Sequence, residues 1–164
     1  MALIVEDGTG KSDAESYASV QSALDYFDRF GGGDEFIALD EPQKEQALRN
    51  ATRVVDQSVR WLSTRKTQEQ TLEFPRDEFT DTRGVVVKDD EVPTRLVEAT
   101  IELAGLHAEE DLRTDDPAII QESFGRASAR YASPVKGNQI SNIILKSLSI
   151  YGTTSTAIRT VYRA

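Results

Sequence analysis

Apolar side chains return at steps of three and four residues in four separate stretches of this chain. The first runs through Tyr17, Val20, Leu24, Phe27 and Phe30, with Ser16 placed to cap it. Gly31-Gly32-Gly33 ends that helix, because each glycine in a helix interior costs about 1 kcal/mol relative to alanine. The second opens at Asp40-Glu41-Pro42, where a capping acid, a first-turn acid and a proline agree on a start. Its stripe of Leu48, Ala51, Val55, Val59 and Leu62 predicts a helix to about residue 62. The third begins at Val92-Pro93 and follows Leu96, Ala99, Leu103 and Leu106. It fades at Glu109-Glu110-Asp111, where acids oppose the helix dipole. The fourth is Ile140, Ile143, Ile144, Leu148 and Tyr151.

Strand patterns are fewer. Ala2 to Val5 is a short β-prone run before the loop Gly8-Thr9-Gly10. Residues 118–120 and 129–132 flank Ser123-Phe124-Gly125, which predicts a loose β-hairpin. Residues 157–163 alternate, with Ile158, Thr160 and Tyr162 on one side and Arg159, Val161 and Arg163 on the other. Between the second and third helices, residues 63–91 are mostly polar, with Leu72, Phe74, Phe79 and Val85–Val87 as apolar islands that imply packing. Val85–Val87 reads as a short strand after Gly84. The whole predicts a mainly α fold: a bundle of three to four helices with a small β-hairpin and an extended C-terminal arm.

Charge divides the chain. The 164 residues carry a net charge of −9, yet the basic side chains beyond residue 116 outnumber Glu122, the one acid there, six to one. The expected division is therefore an acidic helical body, residues 1–116, and a basic hairpin and arm, residues 117–164. The basic part is either a solvated segment or a docking element for an acidic surface, on its own body, a neighbouring copy or another protein. The fourth stripe sharpens the choice. Seven large apolar residues lie between Ile140 and Tyr151. At roughly 1.5–3 kcal/mol each, their burial is worth on the order of 10–20 kcal/mol gross. Such a surface is covered either by folding back as a core helix or by docking on another subunit.

Composition removes several chemistries. The chain has no cysteine and one histidine, His107, so thiolate sites, a disulfide framework and a multi-histidine metal centre are excluded within one chain. No apolar run approaches the ~18 residues of a membrane span, and Met1 to Asp7 lacks the basic start of a secretory signal. A soluble protein made inside the cell is expected. Gly8-Thr9-Gly10-Lys11-Ser12 looks like the end of a phosphate-binding loop, but Val5 stands where that motif needs its first glycine. His107 has no legible catalytic partner, and the pairs Asp89-Asp90 and Asp115-Asp116 read as solvated turns or caps. Neither an enzyme nor a cofactor is expected. Arg60-Trp61 with Arg65 and Lys66 is the one basic–aromatic cluster, of a kind that stacks a base of single-stranded nucleic acid; the alternative is that Trp61 simply packs at the end of the second helix.

Several motifs, taken in order, resemble the tailed-phage head–tail connector proteins, also called adaptor or head-completion proteins. They are Ala-Leu-Ile-Val-Glu-Asp-Gly-Thr-Gly at 2–10, Ser16-Tyr17, Tyr26-Phe27, Ala47-Leu48-Arg49-Asn50-Ala51-Thr52, Trp61 with Thr64-Arg65, Leu72-Glu73-Phe74-Pro75-Arg76, and Val92-Pro93 with Ala99-Thr100 and Glu102-Leu103-Ala104. Phe74 stands where the pattern expects tryptophan. The resemblance covers residues 1–107 well and the remainder loosely. It implies a ring, commonly of twelve copies, in the virion neck beneath the portal protein, made and assembled in the host cytoplasm. Such a ring extends the channel for genomic double-stranded DNA and offers the tail and neck proteins a docking surface, without an active site or a membrane. With it go C-terminal contacts to the portal or a neighbouring subunit, expected here at Lys136, Ile140, Ile143, Ile144, Leu145, Leu148, Tyr151, Ile158, Arg159, Tyr162 and Arg163. Members are often labelled DnaT-like single-stranded-DNA-binding proteins. That label makes an accessory DNA-binding role through Arg60, Trp61, Arg65 and Lys66 the alternative.

Overall fold

Each helix starts where a side chain satisfies its first free amides. In a computed structural model describing residues 2–109, 122–124, 127–129 and 136–154, helix α1 (Val20–Phe30) is capped by Ser19. The Ser22 amide donates to the Ser19 hydroxyl at 3.0 Å, and the Ser19 amide donates to the Ser22 hydroxyl at 2.9 Å. Ser16 is therefore not the cap. It bridges to Val5, and its hydroxyl holds the Ala18 backbone, so Tyr17 is buried ahead of the helix. Gly31 terminates α1 as expected. A short helix α2 (Asp34–Ala38), not foreseen from the periodicity, follows the glycines and buries Phe36.

Helix α3 (Glu41–Ser58) opens with the Asp40–Gln43 reciprocal cap. It stops short of residue 62, because Val59 turns to extended backbone and starts strand β1 (Val59–Trp61). Helix α4 (Thr94–Glu109) buries Leu96, Ala99, Leu103 and Ala104 against α3, the main packing pair of the molecule. Around this pair sit α1, α2 and α5 (Lys136–Ser147). The fold is mainly α, and none of the described helices is long and apolar enough to cross a membrane.

Among the described residues, three antiparallel two-stranded pairs accompany the helices. β2 (Phe79–Thr80) pairs with β3 (Val86–Val87) inside the long polar segment. β4 (Glu122–Phe124) pairs with β5 (Ala127–Ala129), a tighter hairpin than the expected one, since Phe124 lies in a strand and not in the turn. β6 (Gly152–Thr154) pairs with β1, Val59 opposite Thr154.

This last pairing settles the choice left open for the fourth stripe. α5 packs on α4, and Ile144, Leu148 and Tyr151 are buried in the same core as α3 and α4. The Leu62 amide donates to the Tyr151 carbonyl at 2.9 Å. Residues on both sides of the expected division at 116 thus share one core. A chain cut before residue 136 would lose part of that core and leave β1 unpaired.

The polar segment 63–91 is fastened by buried polar side chains. Arg76, 7% exposed, donates to the carbonyls of Leu62 at 2.7 Å, Ser63 at 2.6 Å and Glu73 at 2.9 Å, and to the Glu73 carboxylate at 2.8 Å. Gln70 donates to the Leu72 and Pro75 carbonyls and accepts the Thr67 amide. Phe74, fully buried, gathers Trp61, Phe79 and Tyr151 around its ring.

Candidate functional site

The loop that resembles a phosphate cradle already holds an anion. Glu6, 3% exposed, turns its carboxylate into the loop. One oxygen accepts the amides of Gly8 and Gly10, each at 2.9 Å, and that of Asp7 at 3.2 Å; the other accepts the Lys11 amide at 2.8 Å. Lys11 meanwhile bonds the Val5 carbonyl and pairs with Asp7. The donors that would hold a phosphate are satisfied within the chain. Glu6→Gln removes the charge and turns an NH2 group toward one or more of these amides. We expect a loss of roughly 2–3 kcal/mol in chemical denaturation; a loss under about 0.5 kcal/mol would show that the carboxylate does not hold the loop.

The basic–aromatic cluster is only partly a surface. β1 alternation sends Arg60 outward and Trp61 toward the core, where the indole meets the Phe74 ring edge-on at 5.0 Å. Trp61 is half-buried, so its ring is no open stacking platform. Arg65 is exposed and donates to the Gln70 carbonyl at 3.3 Å. Lys66 points to the Gly8 carbonyl at 3.4 Å and to Asp89 at 4.0 Å.

The residues expected at a portal or subunit interface divide. Ile144, Leu148 and Tyr151 are covered by their own chain, which corrects their assignment to a docking face. Leu145 is partly buried against the core. Ile143 is 69% exposed. Lys136 and Ile140 fall within α5, but their side chains lie outside the described residues, as do Ile158, Arg159, Tyr162 and Arg163.

Ile143 stands at the rim of an apolar groove of about 370 Å³ between α1, α4 and α5, with Tyr26, Phe30, Glu102 and Leu106 as walls. Its floor is Phe27. Gly33 has φ +68°, and a Cβ there would lie 2.5 Å from the Phe27 ring; a Cβ on Gly105 would lie 2.9 Å from it. The two glycines leave the ring its place. Phe30, which the sequence places on the buried stripe, is 63% exposed on the opposite rim. Its position in the last turn before three glycines is the available signal, since glycines bring no side chain to cover that end.

A second cleft, of about 470 Å³, lies between α3 and residues 71–73, lined by Arg49, Arg53, Asp56 and Glu73 among others. Arg49 bridges Glu15 and Glu45 there. Burial pushes the Asp56 carboxyl up to about 7, while hydrogen bonds from the Tyr17 hydroxyl and the Glu73 amide hold it down. Both Asp56 oxygens are engaged in the fold, Oδ1 with Tyr17 at 2.6 Å and Oδ2 with Glu73 at 3.3 Å, and the Phe74 amide in turn donates to the Tyr17 oxygen at 3.1 Å. The cleft therefore serves as a joint between the N-terminal segment, α3 and the long loop.

That joint has a pH dependence of definite sign. The unfolded Asp56 carboxyl ionises near its ordinary 3.8 and the folded one near 7, so between these values the folded chain holds the extra proton. Stability from this group is greatest below about pH 4 and falls as pH rises toward 7, by on the order of 2–4 kcal/mol. Asp56→Asn should flatten that part of the stability–pH curve. An unchanged slope in the variant would remove Asp56 as its source.

A family model described as "Putative DnaT-like ssDNA binding protein" matches residues 1–162. No curated protein and no solved structure matches the chain.

Proposed function

The chain belongs to this DnaT-like ssDNA binding family, and from that premise we propose that it acts as a structural protein assembling with other proteins: a head–tail connector in the neck of a phage virion. In this reading about twelve copies form a ring beneath the portal protein, extend the channel for genomic double-stranded DNA and give the tail its docking surface. It has no catalytic step and no cofactor.

The observation that carries the reading is the exposed apolar groove rimmed by Phe30 and Ile143 in a strongly acidic chain. Exposed apolar surface of this kind recognises protein. The charge supports it too. Affinity for nucleic acid comes largely from neutralising phosphates. Here Lys11, Arg49, Lys66, Arg76 and Arg83 each face a carboxylate within 4.0 Å. A chain with a net charge of −9 repels phosphate overall, which suits a conduit that passes DNA without gripping it. Imaging of assembled necks tests the reading: the chain is expected as a ring between portal and tail. Its absence from the neck, with the protein found along exposed bases instead, overturns it.

The family description favours a second reading, single-stranded-DNA binding through Arg60, Trp61, Arg65 and Lys66. A salt titration with labelled oligonucleotide separates the two. The DNA-binding reading requires saturable binding at low salt that weakens in Arg60→Ala and Arg65→Ala; the connector reading requires none.

A further inference from the structure

The loop that Glu6 fills contains the only Asp-Gly step of the chain, Asp7-Gly8, and the chain has no Asn-Gly step. An Asp-Gly step is prone to one internal rearrangement. The glycine amide nitrogen attacks the aspartyl Cγ, a nitrogen–carbon bond forms, and the carboxyl oxygen leaves with two protons as water, giving a five-membered succinimide. Water then opens the ring. Where it breaks the original peptide bond, the main chain runs on through Cβ as isoaspartate. Water is lost once and gained once, so no mass changes and no other reagent is needed. We propose that Asp7-Gly8 is an isoaspartate-forming modification site that the Glu6 cradle keeps shut: it reacts only when the loop opens, and the product cannot close again.

The glycine is there because no other residue fits. Gly8 has φ +97°, and a Cβ on it would lie 2.1 Å from the Asp90 carbonyl oxygen. The same missing side chain leaves its nitrogen unhindered as a nucleophile. The fold restrains both reacting groups. The Gly8 amide donates to Glu6 Oε1 at 2.9 Å, and a carboxylate so close disfavours the deprotonated amide that attacks. The Asp7 carboxylate is drawn forward, away from that nitrogen. Its Oδ1 accepts the Thr9 amide at 3.2 Å and the Thr9 hydroxyl at 2.6 Å, and its Oδ2 lies 2.9 Å from the Lys11 ammonium. The Thr9 hydroxyl and then Lys11 hold the Asp7 carboxyl down to about 2, so the neutral form that releases water is scarce. The Asp7 side chain is nevertheless 56% exposed, so water reaches a ring once it forms.

Isoaspartate adds one methylene to the main chain, about 1.5 Å of length. The Glu6 carboxylate gathers the Asp7 and Gly8 amides and, beyond them, those of Gly10 and Lys11. Gly8 also abuts Asp90, and Lys66 bonds its carbonyl at 3.4 Å. A longer path from Asp7 to Gly8 cannot keep these partners in register. Rearrangement therefore frees the N-terminal loop from residues 66 and 90 for good.

The test compares the full chain with the free peptide of residues 1–11, the tryptic fragment that ends at Lys11 and holds Asp7 as its one aspartate. Both are aged in mildly acidic buffer, and the Asp and isoaspartyl forms of the fragment, equal in mass, are separated by chromatography. The folded parent should isomerise at least about tenfold more slowly than the peptide. Glu6→Ala, with its fold checked by circular dichroism, should speed the full chain at least about tenfold while changing the peptide little. Equal rates in parent and peptide overturn the proposal, as does a folded Glu6→Ala chain that ages as slowly as the parent. A second measurement needs no variant. Parent aged in urea and returned to buffer yields isoaspartyl chain, whose Gly10 and Lys11 amides should exchange with deuterium at least about tenfold faster than in the unaged protein. Unchanged exchange at those amides would show that the modified loop closes as before, and overturns the proposal.

Discussion

Phe74→Ala should lower the unfolding free energy by about 3–5 kcal/mol, the range for deleting a buried aromatic ring. The ring is fully buried, with Trp61, Phe79 and Tyr151 at centroid distances of 5.0, 6.4 and 6.3 Å. Those three neighbours come from β1, the β2–β3 hairpin and the C-terminal segment. The cavity would open where all of them converge, and none can relax into it without releasing another. Trp61, the single tryptophan of the chain, reports on the event directly. Its emission should move to the red in the folded variant as water reaches the indole. A urea midpoint close to that of the parent, with unshifted emission, would show that the cluster is not part of the core.

Arg76→Met carries the second-largest expected effect, about 3–4 kcal/mol. The guanidinium serves three backbone carbonyls and one carboxylate in a position almost closed to solvent. Methionine fills similar space and leaves those carbonyls without donors. Arg76→Lys keeps the charge but not the planar fork, and should recover no more than about half of the loss. If lysine restored full stability, the arginine would be acting as a charge alone and not as a clamp on residues 62–76.

Local signals were the readable ones. Asp40 with Gln43 caps α3 within four residues of sequence, and the glycine triplet ends α1, because both depend on neighbours along the chain. The end of α3 is not legible locally, because the helical stripe continues through Val59 and Leu62 while the strand that captures Val59 lies far away in sequence. The same long-range pairing hid the fate of α5, whose stripe fits a core helix and a docking arm equally well. The glycine loop was misleading for another reason. Its amides are those of an anion cradle, and the anion is Glu6, two residues upstream of the first glycine. In the candidate site, Ile143 was legible as apolar but not as exposed, and Phe30 was placed inside, because exposure depends on which neighbouring elements fall short of it.

The β1–β6 pairing also bears on how the protein is made. Val59 leaves the ribosome well before Thr154, so the core stays open while the chain between them is synthesised. A product terminated between them lacks the closing strand and the helix that packs on α4, and leaves β1 unpaired. The order of translation thereby delays completion of this core until a strand distant in sequence has been made.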